Sequence, residues 1–313
     1  MTNLKDYSRT AIVKGSKSFS AASLLLDRQS RTGAQMLYAW CRHCDDQIDS
    51  QQDGFAAHGP SAPSRDTLDY LRMETRRALA GEPVDHPAFV AFQQVVERHG
   101  IPHRYPMELL EGFAMDVDSY SYRKLDDTLL YCYHVAGVVG VMMAYVMGVK
   151  NGDALLRAAD LGIAFQLTNI SRDVMDDARM GRVYLPTDLL KAAGVPPEEI
   201  LEVEHRAGVF EVVQRLLTEA DGYYDSALFG LPKLGWRAAW GIATARYVYR
   251  YIGRLVIGRG AAAWDERAVV SGGRKLYGAW CGLLRSFSAC SVGRMLPPKQ
   301  RKGLWTKTAQ EET

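Results

Sequence analysis

Three observations along these 313 residues predict an all-α protein built as one domain. Segments with apolar residues at 3.6-residue periodicity are long and numerous. Strand signals are nearly absent, and no Pro/Gly/Ser-rich linker separates two potential cores. Helices are therefore expected at roughly 18–27, 31–49, 66–80, 86–99, 106–118, 127–148, 152–176, 187–193, 208–228, 236–257 and 272–294.

The first of these follows Gly15-Ser16-Lys17-Ser18-Phe19-Ser20, where hydroxyls, a cation and helix-start amides suit either a cap or an anion. The second carries an acidic run, Asp45-Asp46-Gln47-Ile48-Asp49, and ends in a polar loop, QQDGFAAHGPSAPSRD, at 51–66. The three helices from 66 to 118 show ordinary amphipathic periodicity. From Leu129 to Val149 (LLYCYHVAGVVGVMMAYVMGV) no Asp, Glu, Lys or Arg occurs. That stretch is long enough to span a bilayer, yet Tyr131, Cys132, Tyr133 and His134 put polar groups near one end, so a buried core helix is expected. Gly137, Gly140, Ala144 and Gly148 let a second helix or an apolar ligand approach its backbone closely. The helix at 152–176 holds a second acidic run, Asp173-Val174-Met175-Asp176-Asp177. Pro186, Pro196 and Pro197 punctuate the connection after it, and Pro232 separates the next two helices. The core is expected over about 14–294 of a single 1–313 domain, with a basic, flexible tail at 297–313.

Composition narrows the function classes. The balance of 38 Lys+Arg against 36 Asp+Glu gives +2, so no nucleic-acid partner is expected. Five cysteines without a regular framework fit a reducing compartment, and MTNLKDYSRTAIVKGSKSFS lacks the apolar core of a signal peptide. A cytoplasmic protein is expected.

The acidic runs carry the chemistry. Tyr38, Arg42, Asp45 and Asp49 fall within a stripe about 60° wide on one helix face, and Gln166, Asn169, Asp173 and Asp177 within about 80° on another. Like charges four residues apart cost about 0.2–0.5 kcal/mol on an isolated helix. A lone pair of that kind is most often a solvated face. Two such stripes, each preceded by a further polar residue and set among apolar ones, point instead to a hard divalent cation holding a phosphate-bearing substrate. Arg172 and the loop Arg179-Met180-Gly181-Arg182 add guanidinium donors for phosphate oxygens. Cys41-Arg42-His43-Cys44 resembles a C-x-x-C metal or redox motif but has no partner pair and sits mid-helix. His134 reads as a satisfied core histidine.

In order along the chain, KGSKSFS, YAWCRHCDDQID, LDDTLLYCYHVAGVVGVMM, FQLTNISRDVMDDARMGRVYLP, YVYRYIG and WDER resemble the segments of the squalene/phytoene synthase family, from about Lys14 to Arg294. Within it the chain is most similar to bacterial members that make the first C40 carotenoid precursor. The resemblance implies an isoprenoid synthase fold whose central cavity carries the two acidic helices on opposite walls. It also implies head-to-head condensation of two geranylgeranyl diphosphates through prephytoene diphosphate. By motif position Asp45, Asp49, Asp173 and Asp177 would hold Mg²⁺ (or Mn²⁺), with Asn169 and Gln166 supporting the second cluster. Arg42, Ser16, Lys17, Ser18, Arg172 and Arg267 would bind diphosphate, with Tyr38 on the same stripe, and Tyr131 and Tyr249 would sit near the leaving group. ATP stimulation is implied by the family alone. No NADPH use is expected, since Gly137-Val138-Val139-Gly140 lies in a helix and not after a strand.

An allylic cation needs apolar or aromatic surroundings, for which Tyr131, Phe165, Val138, Val141, Met142 and Tyr249 are candidates. The greasy substrates and the basic residues Lys299, Arg301, Lys302 and Lys307 suggest peripheral membrane association, and a downstream desaturase is a possible partner. No C-terminal membrane anchor of the kind seen in eukaryotic squalene synthases is recognised. The alternatives are a dehydrosqualene or squalene-type synthase using two farnesyl diphosphates, or a non-catalytic assembly factor of the same family. Retention of all four metal aspartates argues against the last.

Overall fold

In the computed structural model, residues 4–49, 51–52, 55–56, 64–291, 293, 300–301 and 303–307 are described. Thirteen α-helices among them form the body: α1 (Leu4–Gly15), α2 (Lys17–Ser23), α3 (Arg28–Ile48), α4 (Arg65–Leu79), α5 (Pro87–His99), α6 (Arg104–Val117), α7 (Leu125–Cys132), α8 (Val138–Val146), α9 (Gly152–Arg179), α10 (Thr187–Ala192), α11 (Arg206–Ala227), α12 (Trp236–Arg259) and α13 (Gly272–Ser291). The all-α expectation holds. Periodicity passes over α1, a mostly polar helix that buries only Ser8 and Ile12. The 51–66 loop contains one antiparallel ribbon, β1 (Gln51–Gln52) with β2 (Phe55–Ala56). The side chains of this ribbon and most of the loop lie outside the described residues.

Local chemistry fixes the helices that build the site. Asp27 caps α3, its carboxylate accepting from the Gln29 and Ser30 amides at 3.0 Å each. Asn151 caps α9 by accepting from Ala154 N at 3.2 Å. Ala34, Leu37, Trp40, Cys44 and Ile48 bury one face of α3, and Trp40 stacks on Phe92 of α5 with centroids 4.1 Å apart.

The single helix expected at 127–148 is instead α7 and α8 joined by a π-helical turn at Tyr133–Gly137. This segment is the one helical stretch among the described residues apolar and long enough to cross a membrane, and 61% of its 18-residue apolar window is buried inside the protein. Its small residues serve close approach to α9: a methyl group on Gly140 would collide with the Ala158 carbonyl, and one on Gly162 with the Ala136 carbonyl. Gly148 serves otherwise, ending the segment with φ +79°.

The tail departs from expectation. Arg301 forms an ion pair with Asp160 at 2.7 Å, Trp305 N donates to Tyr223 Oη at 3.1 Å, and Lys307 approaches Glu108 at 3.9 Å. Asp160 is wholly buried, so its charge needs a cation, and the tail supplies one; the described part is a strap, not a free end. Pro297, Lys299 and Lys302 lie outside the described residues.

Candidate active site

α3 and α9 each turn their acidic stripe toward one cavity of about 990 Å³. Ser16, Tyr38, Arg42, Asp45, Asp49, Tyr131, Gln166, Asn169, Arg172, Asp173, Asp177, Tyr249 and Arg267 all line it. Every described candidate for metal, diphosphate or leaving-group contact is thus brought together; the side chains of Lys17 and Ser18 lie outside the described residues. Along α9 the lining runs from Ala154 to Asp177, about 35 Å of wall. Its N-terminal half offers Ala154, Ala158, Leu161 and Phe165, together with Arg157, whose guanidinium is paired with Ser226 at 2.7 Å and Asp153 at 3.4 Å, while its C-terminal half offers the amides and carboxylates. One end of the cavity is therefore largely apolar and the other charged.

Arginines thread the charged end. Arg42 reaches Asp45 at 2.9 Å and Asp46 at 2.5 Å on its own helix. Arg172 grips Asp173 through two nitrogens, and Arg267 reaches the same carboxylate at 3.0 Å. Arg182, in the turn after α9, crosses to Asp49 at 2.6 Å and so ties the second acidic segment to the first. Burial, then Asp49, pushes the Asp45 carboxyl up to about 7, with Arg42 opposing. Burial, then Asp173, pushes Asp177 up to about 8 against Arg182. Asp45 still shows 42% of its side-chain surface, so its burial is that of a cavity wall reached by water.

These donors can be compared with what a divalent cation requires. Carboxylate oxygens at 45, 49, 173 and 177 and the Asn169 amide oxygen are hard ligands of the type Mg²⁺ takes. Two of the carboxyls are short of compensating charge at neutral pH, which a cation would supply. Among the described residues, no three acidic side chains converge on one point, and Asp45, Asp49 and Asp173 are each paired with an arginine. The donor chemistry fits; the arrangement seen is the arginine-paired one.

Ser16 does the capping of α2, accepting from Phe19 N at 3.2 Å while its residue lines the cavity. Phe19 stacks on Tyr38, and Tyr249 on Phe165, with centroids 5.6 Å and 4.2 Å apart. His134 is buried with Nδ1 at 2.8 Å from the Glu108 carbonyl, the core histidine expected. Val138, Val141 and Met142 do not line the cavity; Val139, Gly140 and Met143 do. The π turn is the reason. Its extra residue rotates α8 by about 100°, shifting the inward set one position along the chain.

Sequence reasoning also missed Asp116 and Tyr184. Asp116 accepts from Tyr184 Oη at 2.8 Å and from Tyr131 Oη at 3.1 Å, and the two tyrosines stack at 4.6 Å. Burial lifts Asp116 to about 6, with Arg182 the main opposing influence. This knot fixes the Tyr131 ring at the cavity wall. The available signal was an acid at the phase of Leu109 and Phe113 on the apolar face of α6.

Comparison with known proteins agrees with this geometry. The squalene/phytoene synthase family model matches residues 12–274. The chain belongs to the squalene/phytoene synthase family. Among its relatives, a 15-cis-phytoene synthase of Pantoea ananas is 50% identical, covering 88% of this chain and 89% of that protein. A 15-cis-phytoene synthase of a Paracoccus species is 46% identical, covering 98% and 99%. A solved dehydrosqualene synthase in complex with ligand superposes at TM-score 0.81 and 26% identity, covering 91% of this chain and 97% of that one. A squalene synthase from Alicyclobacillus acidocaldarius shares the fold at TM-score 0.71 and 23% identity, covering 82% and 94%. The squalene/phytoene synthase family uses prenyl diphosphates and is generally metal-dependent.

Proposed function

We propose that the chain is a prenyltransferase that condenses two geranylgeranyl diphosphates head to head, through prephytoene diphosphate, into 15-cis-phytoene and diphosphate. This is the first committed step of carotenoid biosynthesis. The observation that carries the reading is a single cavity, charged at one end by both acidic helices and largely apolar at the other.

Mg²⁺ (or Mn²⁺) at Asp45, Asp49, Asp173, Asp177 and Asn169 would supply neutralisation of the departing diphosphate. Arg42, Arg172, Arg182 and Arg267 bind the same group, exchanging carboxylate partners for phosphate oxygens in bidentate fashion. Stabilising charge as it develops is usually what lowers the barrier of such an ionisation most. The stacked Tyr249–Phe165 pair and Tyr131 line the cavity beside these groups, where ring faces stabilise the allylic cation. Val139, Met143 and Leu161 keep water from it. A second ionisation rearranges the cyclopropyl intermediate, and proton loss, with released diphosphate as acceptor, forms the central double bond. The protein would work in the cytoplasm, peripherally bound to membrane, handing product to a desaturase.

The deciding experiment gives purified protein geranylgeranyl or farnesyl diphosphate with Mg²⁺ and no NADPH, then measures product carbon number. C40 product is expected. C30 made in preference would support the dehydrosqualene reading, the activity named for the 26%-identical solved neighbour. No diphosphate release from either substrate would identify a non-catalytic relative.

A further inference from the structure

We propose that the outward face of α13 is the surface by which this protein docks onto membranes bearing anionic lipids. The helix is oriented opposite to what water would select. Gly278, Gly282 and Ser286 are buried against α12. The fit there is close: a methyl group on Gly278 would lie 2.6 Å from the Tyr247 ring, and one on Gly282 2.9 Å from Thr244 N. The large apolar side chains face out. Leu276 is 74% exposed, Trp280 59% and Phe287 76%, with Tyr277 and Leu284 beside them. These five share a stripe about 100° wide, centred opposite the buried glycines. A patch of this kind marks an interaction surface.

Charge selects the occupant. α12 and α13 contain no Asp or Glu; Arg246 and Arg250 are paired with Asp221 and Asp225 of α11, which leaves Arg237, Arg254, Arg274, Lys275 and Arg285 as the positive charge on this pair of helices. A second copy meeting this face across a two-fold axis would oppose like charges. Anionic headgroups would meet complementary ones, while Trp280 and Phe287 insert at the interface. Trp is the residue type that settles at that depth. The face also adjoins the cavity, which Lys275 lines, so a product too apolar for water has the bilayer at the cavity's edge. This places docking on a folded helix and not on the C-terminal basic residues, where Arg301 is already committed to Asp160. It extends the peripheral-membrane element of the proposed function.

The test is flotation of the full chain with phosphatidylcholine vesicles, with and without phosphatidylglycerol, needing no substrate. Turnover on detergent-dispersed geranylgeranyl diphosphate, measured in parallel, reports on the catalytic reading separately. Wild type is expected to float with anionic vesicles, and Trp280→Ser/Phe287→Ser to bind at least tenfold more weakly at unchanged detergent turnover. Should that variant lose its fold, Arg285→Glu, on an exposed side chain flanking the stripe, is expected to weaken binding at least fivefold. Flotation of both variants equal to wild type would overturn the proposal. So would a wild-type dimer in sedimentation that the substitutions dissociate, with no vesicle binding.

Discussion

Asp177 and Asp45 concentrate the electrostatic tension of the site. Asp177 sits at about 8 in the folded chain against an ordinary 3.8, so the folded state holds that proton more tightly than the unfolded state does. Its contribution to stability is therefore greatest at low pH and is lost progressively as pH rises from about 4 through 8. In thermal melts of metal-free protein, Asp177→Asn is expected to raise the melting temperature relative to wild type at pH 8, with the difference shrinking toward pH 5. An unchanged difference across that range would mean the carboxyl is not held protonated by its surroundings. The same variant is expected to lose turnover, since the substituted amide removes one of the proposed cation ligands. The four aspartates were legible because helical spacing is a local signal. Asp116 and Tyr184 were not, since their hydrogen bond joins residues 68 apart in the chain.

At the level of elements, periodicity located α2 to α13 because their apolar residues recur at helical spacing, buried in most of them and turned outward in α13; α1, with little to bury, left no such mark. The π turn was equally silent, since YHVAG continues the helical pattern on either side of it. Its consequence is a rotated cavity wall, which no periodicity count reveals. Polarity alone misjudges the tail. Arg301 donates to both oxygens of Asp160, which has 0% exposure, and Ser226 donates to the same carboxylate. Arg301→Ala leaves that charge without its cation and is expected to destabilise the fold by roughly 3–5 kcal/mol in denaturant unfolding. A loss below about 1 kcal/mol would show the strap to be dispensable.

Across the whole molecule, two hydrophobic clusters flank the cavity and share Tyr133 and Ile242 at their boundary. The sequence located the charged end and the family's motifs supplied its chemistry. The apolar end, formed by α8, α9 and the turn after α11, depends on helix rotation and close glycine crossings that only the assembled fold displays. Under the proposed function, substrate length would be set at that end and not by the acidic helices. What the acidic helices do set is whether one diphosphate site spans both. That is tested most directly by Mg²⁺-dependent diphosphate release from geranylgeranyl diphosphate by wild type, Asp45→Asn and Asp173→Asn, each checked for intact helicity. Both variants are expected to fall by at least about 100-fold, the scale on which electrostatic groups act at a developing charge. Either variant retaining a tenth or more of wild-type release would contradict a clamp built from both helices.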